Sequence, residues 1–301
     1  MGVWRAAWGN HRVRIGGGLL LIMLMVCVIS LCWTTNPSGR SFYDLQSPDL
    51  SLKAPSGQCW FGTDELGRSL LARCLVGGAI SLGIGTGAAT ISVVLGVAVG
   101  LVAGYRGGWI DGVLMRIVDI LYGLPYILLV ILLKLAFEDK LRDSLFRGVG
   151  PAANVIVLFL AIGLVSWLTM ARVIRGQVLS LRTQPFVEAA RAAGLPERRI
   201  FLRHLLPNLI GPIMVYATLT VPQAILQESF LSFLGIGIEP PLPTWGSLAA
   251  DGMMPALNTI HSCWWLLVFP CTLLAVTLLS LNFLGDGLRD VFDPKRQAAA
   301  I

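Results

Sequence analysis

The sequence predicts an all-α membrane protein with six transmembrane helices, and three observations carry that prediction. Apolar residues fill 55% of the 301 positions and charged residues only 13%, at a mean hydropathy of +0.74. A soluble domain carries about 25% charged residues. Six apolar runs approach the roughly 20 residues that a helix needs to cross the hydrocarbon layer: Ile15–Trp33, Gly78–Ala103, Ile117–Phe137, Val155–Val173, Leu209–Phe230 and Trp264–Leu284. The basic residues between these runs are shared unequally between the two sides.

The first run follows Arg5, Arg12 and Arg14 and so resembles a secretory signal. It is longer than the 7–15 apolar residues of a signal, and no Ala-x-Ala-like cleavage site follows it, so it reads as a retained anchor. With the amino terminus inside, the cytoplasmic segments hold Arg5, Arg12, Arg14, Arg106, Arg116, Arg172, Arg175, Arg182, Arg191, Arg198, Arg199, Arg203, Arg289, Lys295 and Arg296. The opposite side holds Arg40, Lys53, Arg68, Arg73, Lys140, Arg142 and Arg147. This positive-inside bias places both termini in the cytoplasm and leaves no basic patch over for nucleic acid, despite a net charge of +6.

Between the first two runs, Thr34 to about Leu75 is rich in Pro, Gly, Ser and Asp, too polar for lipid and too short for an enzyme domain. Its end, Phe61-Gly62-Thr63-Asp64-Glu65-Leu66-Gly67-Arg68, reads as a turn leading into a helix, with Asp64 or Thr63 as the cap. The chain therefore divides into an anchor helix and extracytoplasmic segment over 1–74, a transmembrane domain over 75–290, and a cytoplasmic tail over 291–301. Cys59, Cys74 and Cys263 fall near the outer face, which leaves a disulfide open among them; Cys27, Cys32 and Cys271 lie within spans as apolar filler.

The second run places Gly at 83, 85, 87, 96, 100 and 104. Small residues let helices approach closely in lipid, so this run predicts a helix deep in a bundle or against a second subunit. The fifth run is interrupted by Pro212 and Pro222. Gly and Pro do not exclude a span, because neighbouring helices can satisfy the freed backbone groups.

The stretch from Arg172 to Asn208 is polar between two apolar runs and predicts two short helices meeting at a corner. Pro185 suits the first turn of a helix. Phe186, Val187, Ala190 and Ala193 share one of its faces, and Gly194 ends it as a left-handed cap. Pro196 opens the second helix, with Ile200, Phe201, Leu205 and Leu206 on its apolar side, and Pro207-Asn208 break it at the membrane entrance. Such a helix can simply lie among headgroups. The Ala-rich first helix, however, has little to bury in lipid and fits a protein groove.

Charged side chains within spans are functional candidates by default. Glu228, near the outer end of the fifth run, either faces a translocation path or marks the interface. Lys134 reads as snorkelling to headgroups, and Arg116 with Asp119 as a pair on one helix face. His11, His204 and His261 lie outside the lipid core, which leaves an intramembrane hydrolase without a catalytic set. A stand-alone secondary transporter needs repeats around broken helices at midplane, and no segment matches the Pro212–Pro222 run.

Glu188-Ala189-Ala190, then Gly194, then Leu206-Pro207 resembles the coupling loop of bacterial binding-protein-dependent ABC import permeases. His204 stands where the general pattern has Ile, as in the peptide branch. Phe61-Gly-Thr-Asp-x-x-Gly-Arg68 resembles the outer motif of dipeptide, oligopeptide and nickel permeases, with Ser69 where Asp is usual. Ser229 to Gly235, Trp245-Gly246, Asn282 to Asp290 and Asp293-Pro294-Lys295 are similar to the C-type permease of oligopeptide systems. The resemblance runs from about Phe61 to Arg296 and implies the type I ABC importer permease fold with a cytoplasmic coupling helix, in the bacterial inner membrane.

It further implies a non-catalytic subunit in which Glu188, Ala189, Ala190, Gly194, Leu206 and Pro207 meet a separate ATPase. The implied partners are two ATPase subunits, a second homologous permease, an extracytoplasmic solute-binding protein and a peptide. Oligopeptides lead as cargo, with dipeptides, nickel and antimicrobial peptides as alternatives. No cofactor is implied for this chain. The four lysines, at 53, 134, 140 and 295, lie outside any Gly-x-x-x-x-Gly-Lys-Ser/Thr loop, so ATP falls to the partners.

Overall fold

The computed structural model describes residues 9–35, 41–144 and 152–292, with the backbone alone for 138–144. Arg5, Arg40, Arg147, the Asp293-Pro294-Lys295 motif, Arg296 and most of the expected tail lie outside the described residues, as do the side chains of Lys140 and Arg142. Among the described residues the protein is helical, with one isolated bridge, Thr63 to Ser69.

Helix α1 (His11–Thr34) begins where the Asn10 side chain accepts the Arg12 N–H at 2.9 Å. It packs on the last helix, α10 (Trp265–Phe292): Gly16 lies against the backbone of Ser280 and Leu284, and Gly287 against Val13. Most other α1 side chains are apolar and exposed, as lipid-facing residues are.

The segment that follows is tied by charge. Asp64 accepts the backbone N–H groups of Leu66 and Arg68 at 3.0 and 2.8 Å, and both the Arg68 Nε and an Arg73 guanidinium nitrogen at 2.7 Å. The expected cap thus becomes a charge hub, and Ser69 caps the next helix instead by accepting from Ala72. Thr63 is occupied with Leu50 and Lys53. Because Arg73 and Asp64 are both buried, replacing Asp64 with Ala leaves a buried guanidinium without its main counter-charge, at a cost of about 3–5 kcal/mol. The expected result for Asp64→Ala is protease cleavage within residues 41–69 under conditions that leave the parent chain intact.

Helix α2 (Leu70–Arg106) runs 37 residues, and the division drawn at 74/75 falls inside it. It lies along α5 (Ala152–Leu181) with glycine at the contact: Gly96 against Met170, Gly100 against Ala171 and Ile174, Gly104 against Arg175 and Val178. This is the close approach that the glycine pattern predicts, made within the chain.

The third span departs from the expected single helix. It consists of α3 (Gly108–Tyr122) and α4 (Tyr126–Ser144), bent by 96° across Gly123-Leu124-Pro125. Pro125 supplies no N–H to continue α3, so the chain turns and restarts. Among the described residues, six helices are long and apolar enough to cross a membrane when this pair counts as one span, and five without it. Helix α8 (Leu206–Phe233) passes through Pro212 and Pro222 without a break. The loop beyond it holds a short helix, α9 (Trp245–Ala256), absent from the expected elements and started by a capping box between Thr244 and Ser247.

Candidate functional site

Helix α6 (Pro185–Ala192) follows α5 after a three-residue turn, with Pro185 in its first turn and Gln184 extended before it. It ends in paired reverse bonds: Leu195 N–H donates to Ala190 C=O at 3.2 Å, and Gly194 N–H to Arg191 C=O at 2.9 Å. That pattern needs a left-handed residue, and Gly194 sits at φ +71. The corner then delivers the chain to α7 (Glu197–Ile200).

The elbow has a buried base and an exposed tip. Val187, Ala190, Ile200 and Leu205 join Tyr105, Met170, Ile174 and Val178 in one apolar cluster, which fixes the elbow to the ends of α2 and α5. Of the four residues expected to share one face, Val187 and Ala190 are buried against the bundle, while Phe186 and Ala193 are exposed. Glu188, Ala189, Arg191 and Gly194 are exposed; Arg191 reaches back over the Tyr105 ring at 5.3 Å.

The second arm corrects the expected break. Residues 201–205 form a π turn, in which Leu206 N–H reaches Phe201 C=O, and α7, this turn and α8 are one continuous helix from Glu197 to Phe233. The wider turn shifts the hydrogen-bond register just where Pro207 cannot donate, so proline is absorbed rather than disruptive. Leu206 is half-buried and Pro207 exposed at this junction. The elbow is therefore continuous with the fifth span.

Ion pairs tie α5 to the broken span beside the elbow. Arg175 holds Asp111 through two bonds of 2.5 and 2.6 Å. Asp119, expected to pair with Arg116, is instead 2.7 Å from Arg172, whose guanidinium stacks 4.0 Å over Tyr122. The packing of α5 across α3 brings Arg172 to Asp119, while Arg116 is exposed.

Two charges at the opposite end are buried. Glu228, expected at a translocation path or at the interface, sits in a packed interior. It is fully buried between α2, α8 and α9, accepting Ser232 Oγ at 2.7 Å, Ser81 Oγ at 3.0 Å and Ser229 Oγ at 3.4 Å. Three hydroxyl donors converge there because Ser81 of α2 packs against this turn of α8. Lys134 is buried rather than snorkelling and donates to the Ile236 and Gly237 carbonyls, each at 2.8 Å. Those carbonyls lie beyond the end of α8, where no helical N–H reaches them. Cys59, Cys74 and Cys263 are free thiols, the last two buried in one apolar cluster.

The family described as binding-protein-dependent transport system inner membrane component matches residues 96–298. The oligopeptide transport system permease protein OppC of Escherichia coli K12 is 47% identical over 97% of this chain and 92% of that protein. Its Salmonella typhimurium namesake is 44% identical over the same shares. The dipeptide transport system permease protein DppC of Bacillus subtilis is 41% identical over 97% of this chain and 84% of that protein. A solved structure of the MetNI methionine ABC transporter, inward facing, aligns over 74% of this chain and 97% of its own with a TM-score of 0.56; at 20% identity it speaks for the fold alone.

Proposed function

Since this chain belongs to the family of binding-protein-dependent transport system inner membrane components, we propose that it is the channel-forming permease subunit of an ATP-driven peptide importer, with oligopeptides as cargo. The observation that carries the mechanism is the elbow, exposed at Glu188–Gly194 and buried at its base. An ATPase subunit grips the tip. Closure of the ATPase pair on ATP displaces it, and the movement passes by two routes. One runs through the Val187–Ala190 base to the ends of α2 and α5, the other through the continuous helix from Glu197 into α8.

In this reading the elbow and both termini are cytoplasmic, and the segment from Phe42 to Ser69 lies outside, beside the solute-binding protein. Leu206 and Pro207 form the junction where the gripped segment enters the membrane. The chain itself binds no nucleotide and does no covalent chemistry. Two ATPase subunits and a second, homologous permease complete the assembly. The oligopeptide permeases of Escherichia coli and Salmonella typhimurium, at 47% and 44% identity, support longer peptides as cargo, while among the Bacillus subtilis relatives the dipeptide permease, at 41%, stands above the oligopeptide one, at 38%.

Purification of the tagged chain in mild detergent tests the proposal. The expected result is co-purification of two ATPases and a second six-span protein, with peptide uptake when the assembly is reconstituted. A chain that purifies alone and moves solute in liposomes without ATP would overturn it.

A further inference from the structure

A cavity of about 360 Å³ opens where the broken span meets α5 and α8. Tyr126, Ser166, Thr169, Thr220, Gln223 and Gln227 supply its polar surface, and none of its lining residues is charged. All lie in the middle turns of their helices or at the Tyr122–Tyr126 break. Irregular backbone at that depth is tolerated only where protein buries it or a wet cavity meets it, so the bend and the cavity account for each other.

The polar groups are arranged. Tyr126 Oη donates to Gln227 Oε1 at 2.5 Å and lies 3.2 Å from Ser166 Oγ. This bond turns the Gln227 amide so that its Nε2 donors are available to a second partner. Gln223 is one turn away on α8 and exposed to the same space. On one side the wall is Tyr122, whose ring carries the Arg172 guanidinium already matched by Asp119.

We propose that this cavity holds the main chain of the peptide midway through the membrane, reading its amides and not its side chains. The inference rests on the peptide-importer reading. A peptide at this depth has the difficulty of any backbone in hydrocarbon: each N–H and C=O needs a partner. Hydroxyl and carboxamide groups both donate and accept, so they serve any stretch of main chain. A charged lining would instead sort peptides by the sign of their side chains. Gln227 and Gln223 are the contacts to the amides, and Tyr126 is a positioning residue for Gln227.

The test uses the whole assembly reconstituted in liposomes with its solute-binding protein. Probes are trialanine, Ala-Lys-Ala, Ala-Glu-Ala and an analogue of trialanine with one amide replaced by an ester. Gln227→Leu and Tyr126→Phe are expected to lower uptake about tenfold for all three peptides alike, the size of one lost hydrogen bond. The parent is expected to take up the ester analogue more slowly than trialanine, and Gln227→Leu to lose that distinction. A photo-reactive residue at Thr220 is expected to cross-link to a bound peptide, whereas one at the exposed Leu226 is not; this readout holds even if a leucine variant fails to assemble.

Parent-like uptake by both variants, a defect confined to one charged peptide, or equal cross-linking at 220 and 226 would overturn the assignment while leaving the importer intact. A parent assembly that takes up no peptide would instead overturn the importer reading.

Discussion

Replacing Gly100 with Val should abolish accumulation of the folded protein in the membrane. A Cβ at this position would sit 2.6 Å from the Ala171 carbonyl oxygen and 2.8 Å from Ile174 Cβ. The first of these is backbone and cannot rotate away, so α2 and α5 must separate. Ordinary overpacking costs about 1–3 kcal/mol and more where backbone must move. Separation here also loosens Gly96 against Met170 and Gly104 against Val178, one turn to either side. Lipid offers no hydrophobic drive to compensate, because the tails are as apolar as the side chains. Gly83 supplies the control: its built Cβ meets nothing within 4 Å, so Gly83→Ala should accumulate normally. Size-exclusion of fluorescently tagged variants from solubilised membranes reads both results, and a monodisperse Gly100→Val peak of parental height would refute the argument.

The sequence made the long features of this protein legible because a single requirement governs them. A span must be apolar for about 20 residues, and α1, α2, α5, α8 and α10 each announce this in composition. The left-handed Gly194 was legible for a similar reason, since few residues other than glycine occupy that conformation at a helix end. What escaped was decided by neighbours in space. Asp119 had an Arg three positions back, but the crossing of α5 over α3 supplied Arg172. Lys134 had a headgroup layer within reach by sequence position, yet the reversal after α8 offered two bare carbonyls.

Pro207 was misread for a subtler reason. A proline lacks the N–H donor and so argues for a break, but the remedy, a π turn over 201–205, leaves no mark in composition. By contrast, the break in the third span could have been found from Gly123 and Pro125, which punctuate an otherwise continuous apolar run. Helix α9 was detectable only by its Thr244–Ser247 capping box, since a 12-residue element gives too short a periodic signal. The cavity residues illustrate the limit: Tyr126 and Gln227 are 101 positions apart, and only the fold brings them together.

The second large effect is expected at the elbow. Gly194→Val should leave the protein in the membrane and reduce ATP-driven uptake by about tenfold or more. The built Cβ of Gly194 touches nothing within 4 Å, so the folded bundle has room for the side chain. The strain lies in the backbone: at φ +71 an L-residue costs roughly 1–2 kcal/mol, with a β-branched one at the upper end. Relief comes by leaving the left-handed region, which breaks the Leu195 to Ala190 bond and swings the tip away from the base that Val187 and Ala190 anchor.

Gly194→Asn separates this cause from simple bulk. Asn is close to Val in size but tolerates the left-handed conformation through local hydrogen bonds. If corner geometry transmits the stroke, the Asn variant should transport near the parental rate while the Val variant does not, with both inserted equally. Equal loss in the two would mean that the ATPase surface excludes any side chain at 194. Equal retention would mean that the stroke passes chiefly along the unbroken helix from Glu197 into α8, with the corner a bystander.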